Sequence, residues 1–501
     1  MSAIQAPPRT YPEGSAAGDK GLKTGALSYV TNIVVGVAST APAYSIAATL
    51  GFIVALKGVG VHAPAVMLVS FVPMFLVALG YKYLNRADPD CGTTFSWTTR
   101  AFGPWVGWFN GWAIFVADVL VMASLAVIAA QYTFLLFDWN SGATNHWALA
   151  IGATLWIVLM TWICYRGIEL SARTQQFLLG AEIAILAAFA VVAIVKSYTS
   201  ATAHSMHLSL SWFNPFDMSV SALVDGVLLG IFIYWGWDSG VSVNEETEDP
   251  AEAPGKAAVV STVLLLLIYV TVSAAAQAYG GTTILANNSS DVLNVLGQGV
   301  FGSPWNKLLI IAVLTSAAAS TQTTILPTAR TTLSMARWGA LPAAFGKIHP
   351  RYLTPTVSTI GMGGLSVVWT LLLVLLNPAQ DLLGDSVTAI GFAIAFYYGF
   401  TGFACAWYFR HELRRSPGVF FRVGFLPFLG GLLMAAIFVK ALHDFNAPDY
   451  GYAAPIAGIQ VPLVIGIGAL LLGLPLMVLC WLRLKPFFRR TTEVASPDIV
   501  L

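Results

Sequence analysis

Four carboxylates of this 501-residue chain sit inside long apolar runs: Asp118 in FVADVLVMAS, Glu182 in LLGAEIAILAAF, Asp225 in LVDGVLLG and Asp238 in YWGWDSG. Such a carboxylate is expensive unless it is paired, hydrogen-bonded or protonated, so each one marks a site. Glu182 is the most isolated, with no charged residue near it in sequence. Three chemistries suit it. Desolvation disfavours its charged form, so it can take up and release a proton. Ionised, it can ligate Na⁺, a hard cation, together with the hydroxyls of Ser316, Ser320 and Thr321. As a neutral group it can simply bridge two helices. Asp238 either ties its segment to neighbouring helices or titrates. Asp225 lies seven residues before Phe232 and shares its face if the segment is helical. There it stands in an outer vestibule, where it attracts an ammonium group or stays solvated.

Two segments add backbone chemistry to these side chains. GVASTAPAYSIAATLGF, Gly36 to Phe52, has Pro42 in its middle. LVDGVLLGIFIYWGWDSGVSVNEET, Leu223 to Thr247, begins about 190 residues later and has Gly236 and Gly240 flanking Asp238. Pro42 removes an N–H and clashes with the preceding turn, so a helix fails there. The half-helix that follows opens on free N–H groups and a positive dipole end, which suits a carboxylate ligand. Ser39 and Thr40 add hydroxyl donors beside Ala41 and Ala43. In the second segment the glycines permit unwinding. The freed carbonyls of Ile231 through Trp235, a stretch that includes Phe232 and Tyr234 and runs into Gly236, can accept from an ammonium group. Lipid cannot satisfy unwound backbone, so paired breaks at matching places mark a buried binding cavity.

The elements that must hold these groups are membrane helices. The chain is 57% hydrophobic and 10% charged, far below the charge of a water-soluble domain. Apolar runs of spanning length fall at 27–57, 62–85, 101–133, 147–165, 174–195, 220–244, 255–279, 305–336, 356–377, 385–408, 424–443 and 459–482. The first 25 or so residues are polar with no cleavable apolar stretch, so the first span directs insertion. With the N-terminus inside, all but four of the 25 Lys and Arg (Lys57, Lys196, Lys307 and Lys440) fall on the cytoplasmic side, so both termini are expected there. The location expected is the cell membrane.

Several classes drop out. A net charge of +1 points to no nucleic-acid partner. Cys91, Cys164, Cys405 and Cys480 form no disulfide framework and no metal-ligand spacing. The seven histidines do not cluster, and none sits mid-span. No nucleophile–base pair or phosphate loop occurs in a polar segment, so no enzyme, metal or cofactor is expected. Asn288-Ser289-Ser290 resembles a glycosylation site in an external loop and reads as a chance occurrence. The sequence does not set an oligomeric state.

Four stretches resemble the amino acid–polyamine–organocation superfamily of permeases. They are PDCGTTFSWTTRAFGPWVGWFNGW (Pro89 to Trp112), GIELSARTQ (Gly167 to Gln175, read as a loop), the run Glu245, Glu246, Pro250, Pro254, and ARTTLSMARWGALPAAFGKIHPRYLTP (Ala329 to Pro355). The resemblance implies an all-α membrane protein of twelve transmembrane helices with a LeuT-type 5+5 inverted repeat and discontinuous helices 1 and 6. The divisions would be a tail at 1–26, a first repeat at 27–197, an inverted second repeat at 220–410, two further helices within 424–483 and a tail at 484–501. It places Phe232 where relatives have an aromatic that caps substrate. It places Glu182 where proton-coupled relatives carry a lysine, and Asp118 on a helix that lines the pathway. At the first break the family usually has Gly-x-Gly, and this chain has Ser, Thr, Ala and Pro instead.

Together these imply a secondary active amino acid transporter working by alternating access. Its partners would be a small amino acid substrate and the bilayer, and its coupling ion H⁺, with Na⁺ the alternative. Tyr397 and Tyr398 would contact the substrate side chain, and the small or aromatic pocket points to a neutral or aromatic amino acid. A polyamine or cationic amino acid is the competing substrate, since Asp118, Asp225 and Asp238 could meet positive charge. A transporter-like sensor or an uncoupled channel is the reading from another class.

Overall fold

The computed structural model describes residues 20–200, 202–288, 292–376, 381–447 and 453–492. The loop serines of Asn288-Ser289-Ser290 lie outside them. Among the described residues, twelve helices are long and apolar enough to span a bilayer. In chain order they are α1 (Tyr29–Ala55), α2 (Gly60–Ala87), α3 (Pro104–Leu136), α4 (His146–Arg166), α5 (Ile168–Thr199), α6 (Val220–Ser242), α7 (Ala253–Asn287), α8 (Lys307–Arg337), α9 (Thr356–Leu376), α10 (Gly384–Tyr408), α11 (Pro417–Asp444) and α12 (Val461–Arg483).

All twelve correspond to the apolar runs, and three starts move. GIELSARTQ is helical from Ile168, because one residue, Gly167 at φ 130°, makes the whole turn from α4. Gly103, at φ 94°, separates α3 from a short helix, Thr94–Phe102, in the stretch before it. A π-helical turn, Phe420–Phe425, carries α11 back toward Pro417.

Burial sorts the helices into layers. The apolar windows of α3, α1 and α8 are 89%, 78% and 78% buried, whereas that of α12 is 17% buried. The first three therefore form the interior, and α4, α5, α11 and α12 present apolar side chains such as Leu155, Phe177 and Leu472 outward, as lipid requires. α8 packs on α3, α5 and α1, while α10 packs on α3, α2 and α11. Both breaks thus lie among central helices. The first and last described segments meet at one end of α8: Arg337 donates to the Lys20 carbonyl at 3.0 Å and Arg490 to the Trp338 carbonyl at 3.3 Å.

Candidate substrate site

The first helix is two helices, Tyr29–Ser39 and Pro42–Ala55. Between them Ala41 takes a left-handed conformation, φ 47° and ψ 66°. Of side chains with a Cβ, alanine carries the least extra bulk into this region, which costs roughly 1–2 kcal/mol for an L-residue. Pro42 then starts the second half, where its missing N–H is harmless.

The donors at this break are already used. Thr40 and Ala41 amides close tight turns onto Val37 and Ala38 carbonyls at 3.2 and 3.1 Å. The Ala43 amide donates to Glu182 Oε1 at 2.7 Å, and the Tyr44 amide to Ser316 Oγ at 3.2 Å. The carboxylate at this helix N-terminus is therefore the protein's own. The other oxygen of Glu182, Oε2, is buried without a hydrogen-bond partner. The carbonyls are used as well: Ser39 accepts from Ser320 Oγ at 2.8 Å, and Thr40 from Ser45 Oγ at 2.7 Å.

The sixth helix stops at Tyr234 and resumes at Ser239 for one turn. Gly236 makes the break at φ 117°, and a Cβ there would lie 2.8 Å from the Ser39 carbonyl oxygen. Gly240 stays helical. Its part is contact, since a Cβ would lie 2.6 Å from the Asn32 carbonyl oxygen of α1. The two breaks touch directly, Ser39 Oγ to Ser239 Oγ at 2.8 Å. Tyr269 of α7 bonds the Ile233 carbonyl at 2.6 Å and reaches the Thr40 carbonyl at 3.5 Å, so one hydroxyl spans both breaks. Asp238 accepts from three phenols: Tyr398 at 2.8 Å, Tyr397 at 3.2 Å and Tyr81 at 3.4 Å.

A void of about 10 Å³ lies between the breaks, lined by Ser39, Ile114, Asp118, Trp235, Gly236, Asp238, Ser239, Thr324, Pro327 and Tyr397. It has room for about one water, so this conformation is closed. Its lining has two carboxylates and no cationic side chain. Asp118 is bonded by Thr328 Oγ1, from the α8 turn that Pro327 interrupts.

The expected site residues separate into groups. Ser39, Trp235, Gly236, Asp118, Asp238 and Tyr397 line the void. Thr40, Ala41, Ala43, Ile231, Phe232 and Tyr234 build the breaks without lining it; Tyr234 donates to the Met67 carbonyl behind the break, and Phe232 is half-buried. Tyr398 stands behind Asp238. Glu182, Ser316 and Ser320 meet at the first break, whereas the Thr321 hydroxyl is turned to the Ala317 carbonyl of its own helix. Asp225, expected either to attract an ammonium group or to stay solvated, does not line the void; its side chain is 40% exposed and lies 3.1 Å from Lys440 of α11.

Sequence reasoning missed a buried charge cluster on the face of the chain ends. Lys20, 2% exposed, lies 3.0 Å from Asp90 and also pairs with Glu245. Burial works against the Lys20 charge, but Asp90, Cys91 and Glu245 together outweigh it and hold the ammonium well above its ordinary range. Asp90 is also desolvated, yet Lys20 and the Ser334 hydroxyl hold its carboxyl below the usual carboxylate range. Glu245 is pushed up by burial despite Lys20. Asp90, Cys91 and Glu245 are close enough to hold a metal ion, but the cation among them is the Lys20 ammonium. Beside it, Arg330 and Glu246 form a fully buried fork, 2.9 and 3.0 Å. Glu245 and Glu246 were visible as a motif, but nothing local marked Lys20, which nineteen residues of the N-terminal stretch precede.

Family comparison settles the class of the protein. The family model described as amino acid permease matches residues 26–472. This chain belongs to the amino acid permease family. It is a transporter rather than an enzyme, and its relatives carry amino acids and polyamines. The low-affinity putrescine importer PlaP of Escherichia coli (strain K12) is 19% identical over 381 residues, 76% of this chain and 81% of that one. The branched-chain amino acid permease BcaP of Lactococcus lactis subsp. cremoris is 24% identical over 412 residues, 78% and 84% of the two chains. An arginine/ornithine antiporter of Latilactobacillus sakei is 23% identical over 390 residues, 75% and 79%. The twelve apolar helices of this permease and its interrupted first and sixth spans fit that family's fold.

Proposed function

We propose that this permease is a secondary active transporter of an amine-bearing substrate, a polyamine or a cationic amino acid, coupled to protons through Glu182. One observation carries the substrate class: the void between the two breaks is lined by Asp118 and Asp238 and by no cation. A ligand there meets negative charge in a water-poor interior, where an uncompensated charge is expensive. An ammonium group compensates it. Any amino acid also brings a carboxylate, which must displace Glu182 and Ser316 from the Ala43 and Tyr44 amides, and a neutral one offers only a single ammonium group to the two acids of the void. The polyamine-or-cation reading therefore ranks above the neutral-or-aromatic one.

For coupling, Glu182 has the required connection. It holds the N-terminus of the second half of α1 while keeping one unpartnered oxygen. Adding a proton removes the charge that this helix end attracts, so the proton and the position of that half-helix are linked. The same oxygens with Ser316 and Ser320 could ligate Na⁺, and an imposed-gradient experiment separates the ions. The bias of Lys and Arg supports an orientation with both chain ends on the cytoplasmic side of the cell membrane.

The test is uptake into proteoliposomes of putrescine, spermidine, arginine, ornithine, leucine and phenylalanine under a proton gradient, a sodium gradient or none. Accumulation of an amine or cationic amino acid under the proton gradient supports the proposal. Accumulation of leucine or phenylalanine alone returns the substrate to the neutral class. If no gradient concentrates any of them, active transport of these classes fails and a sensor or channel takes its place.

A further inference from the structure

Asp118 and Asp238 line one void together, and neither has an ion-pair partner among the described residues. Asp238 is held by the phenols of Tyr81, Tyr397 and Tyr398, and Asp118 by the Thr328 hydroxyl. These partners hydrogen-bond a carboxylate without neutralising it, so with both acids ionised the void carries two negative charges. A dication cancels them. A cationic amino acid has two cationic groups and one carboxylate, a net single positive charge, and it leaves one charge uncancelled in a water-poor interior.

Both half-helix starts beside the void oppose a substrate carboxylate. The N-terminus of Pro42–Ala55 already faces Glu182, which accepts from the Ala43 amide at 2.7 Å, and Ser316 takes the Tyr44 amide at 3.2 Å. The turn Ser239–Ser242 starts at Asp238 itself. Each start therefore has an acid of the protein beside it, and like charges repel. Acceptors for an ammonium group are more plentiful. Pro327 has no N–H, so the Thr323 carbonyl loses its helical donor in the α8 turn that lines the void. The paired Ser39 and Ser239 hydroxyls keep further lone pairs. Ile114, Trp235 and Pro327 supply apolar wall for methylene groups between two charges.

Resting on the amine reading of the void, we propose that the substrate is a linear diamine or longer polyamine that carries no carboxylate, with one ammonium group on Asp118 and another on Asp238. Putrescine and ornithine differ only by the carboxylate, as do cadaverine and lysine, and butylamine is putrescine without its second amine. Calorimetric titration of the full-length permease in detergent with these five, arginine and leucine measures the differences without depending on ion coupling. Putrescine should bind about tenfold or more tighter than ornithine and than butylamine, and cadaverine likewise tighter than lysine, the size of one lost charge-assisted hydrogen bond. In Asp118→Asn the preference for putrescine over butylamine should fall to near one, with thermal stability checked in the same detergent. Should that variant not fold, the wild-type series alone decides whether a carboxylate is rejected and a second amine recognised. Ornithine, lysine or arginine binding as tightly as the diamines, or butylamine as tightly as putrescine, overturns the diamine proposal and leaves the amine reading standing. A putrescine preference that survives in a folded Asp118→Asn overturns the two-acid site. Binding of leucine with none of the amines overturns the amine reading itself, and this proposal with it.

Discussion

Glu182→Gln is the substitution that most directly tests how this permease couples an ion to movement. Glutamine keeps the length and the acceptor oxygen, so the Ala43 amide retains its bond; what disappears is the charge and the capacity to bind a proton. The charged bond at 2.7 Å is worth roughly 1.5–3 kcal/mol and its neutral counterpart about 1. The charge–dipole contribution at the helix end is worth a further 0.3–2 kcal/mol or so. Against these losses stands the removal of a buried carboxylate whose second oxygen has no partner. The two nearly offset, so the variant should fold and bind substrate. Coupling should not survive. An imposed difference of one pH unit is worth about 1.4 kcal/mol per proton, which sustains about tenfold accumulation in a one-to-one symport. In proteoliposomes with that gradient, wild type should approach tenfold and Glu182→Gln should stay near the external concentration. Exchange of labelled for unlabelled substrate should continue in the variant, with no dependence on pH. Proton-driven accumulation near tenfold in Glu182→Gln would refute the assignment of coupling to this residue.

Three further outcomes follow from the same geometry. Gly236→Ala combines a φ of 117° with a Cβ 2.8 Å from the Ser39 carbonyl oxygen, so it should destabilise by several kcal/mol and abolish uptake; wild-type thermal stability would show that the second break tolerates a side chain. Asp118→Asn can keep the Thr328 partner while removing one of the two void charges, so it should raise the KM for a cationic substrate tenfold or more with little change in folding; an unchanged KM removes Asp118 from the site. Lys20→Met leaves Asp90 and Glu245 buried without their cation, a change that costs about 3–5 kcal/mol. The pH dependence of that loss has a definite sign. The carboxyl of Asp90 is depressed in the folded protein, so its contribution is present above the unfolded value near 3.9 and disappears as pH falls through the folded value. Acid also protonates the two stranded carboxylates in the variant. The difference in detergent Tm between wild type and Lys20→Met should therefore be largest near pH 7 and shrink toward pH 4; a constant difference would argue against the charge cluster as its origin.

The parts that were legible share a cause. The helix breaks were legible because they fall at Pro42 and Gly236, residues that weaken a helix locally. Spans come from composition, so all twelve were visible, including the long α3 and α8. The destination of a side chain is not local. Asp225 shares a face with Phe232 in sequence, but Lys440, 215 residues away, decides what its charge does. The amides after Pro42 looked free because their partners, Glu182 and Ser316, lie 139 and 272 residues further on. GIELSARTQ looked like a loop because its polar residues lower the hydropathy, yet intrahelical hydrogen bonds carry the helix through them from Ile168.

The sequence by itself determined that this is a twelve-span membrane protein of the permease type, broken in its first and sixth spans, with carboxylates buried in its interior. Those properties follow from runs of apolar residues and from single residues that weaken a helix locally. Tertiary structure alone decided which groups neutralise one another. It set Glu182 against the first break, Asp238 under three tyrosines, and Lys20 between two acids of distant loops. The physical reason is that a charge or a free amide in a bilayer is satisfied by whichever partner packing brings within about 3 Å, and packing among twelve helices is not written in any one of them.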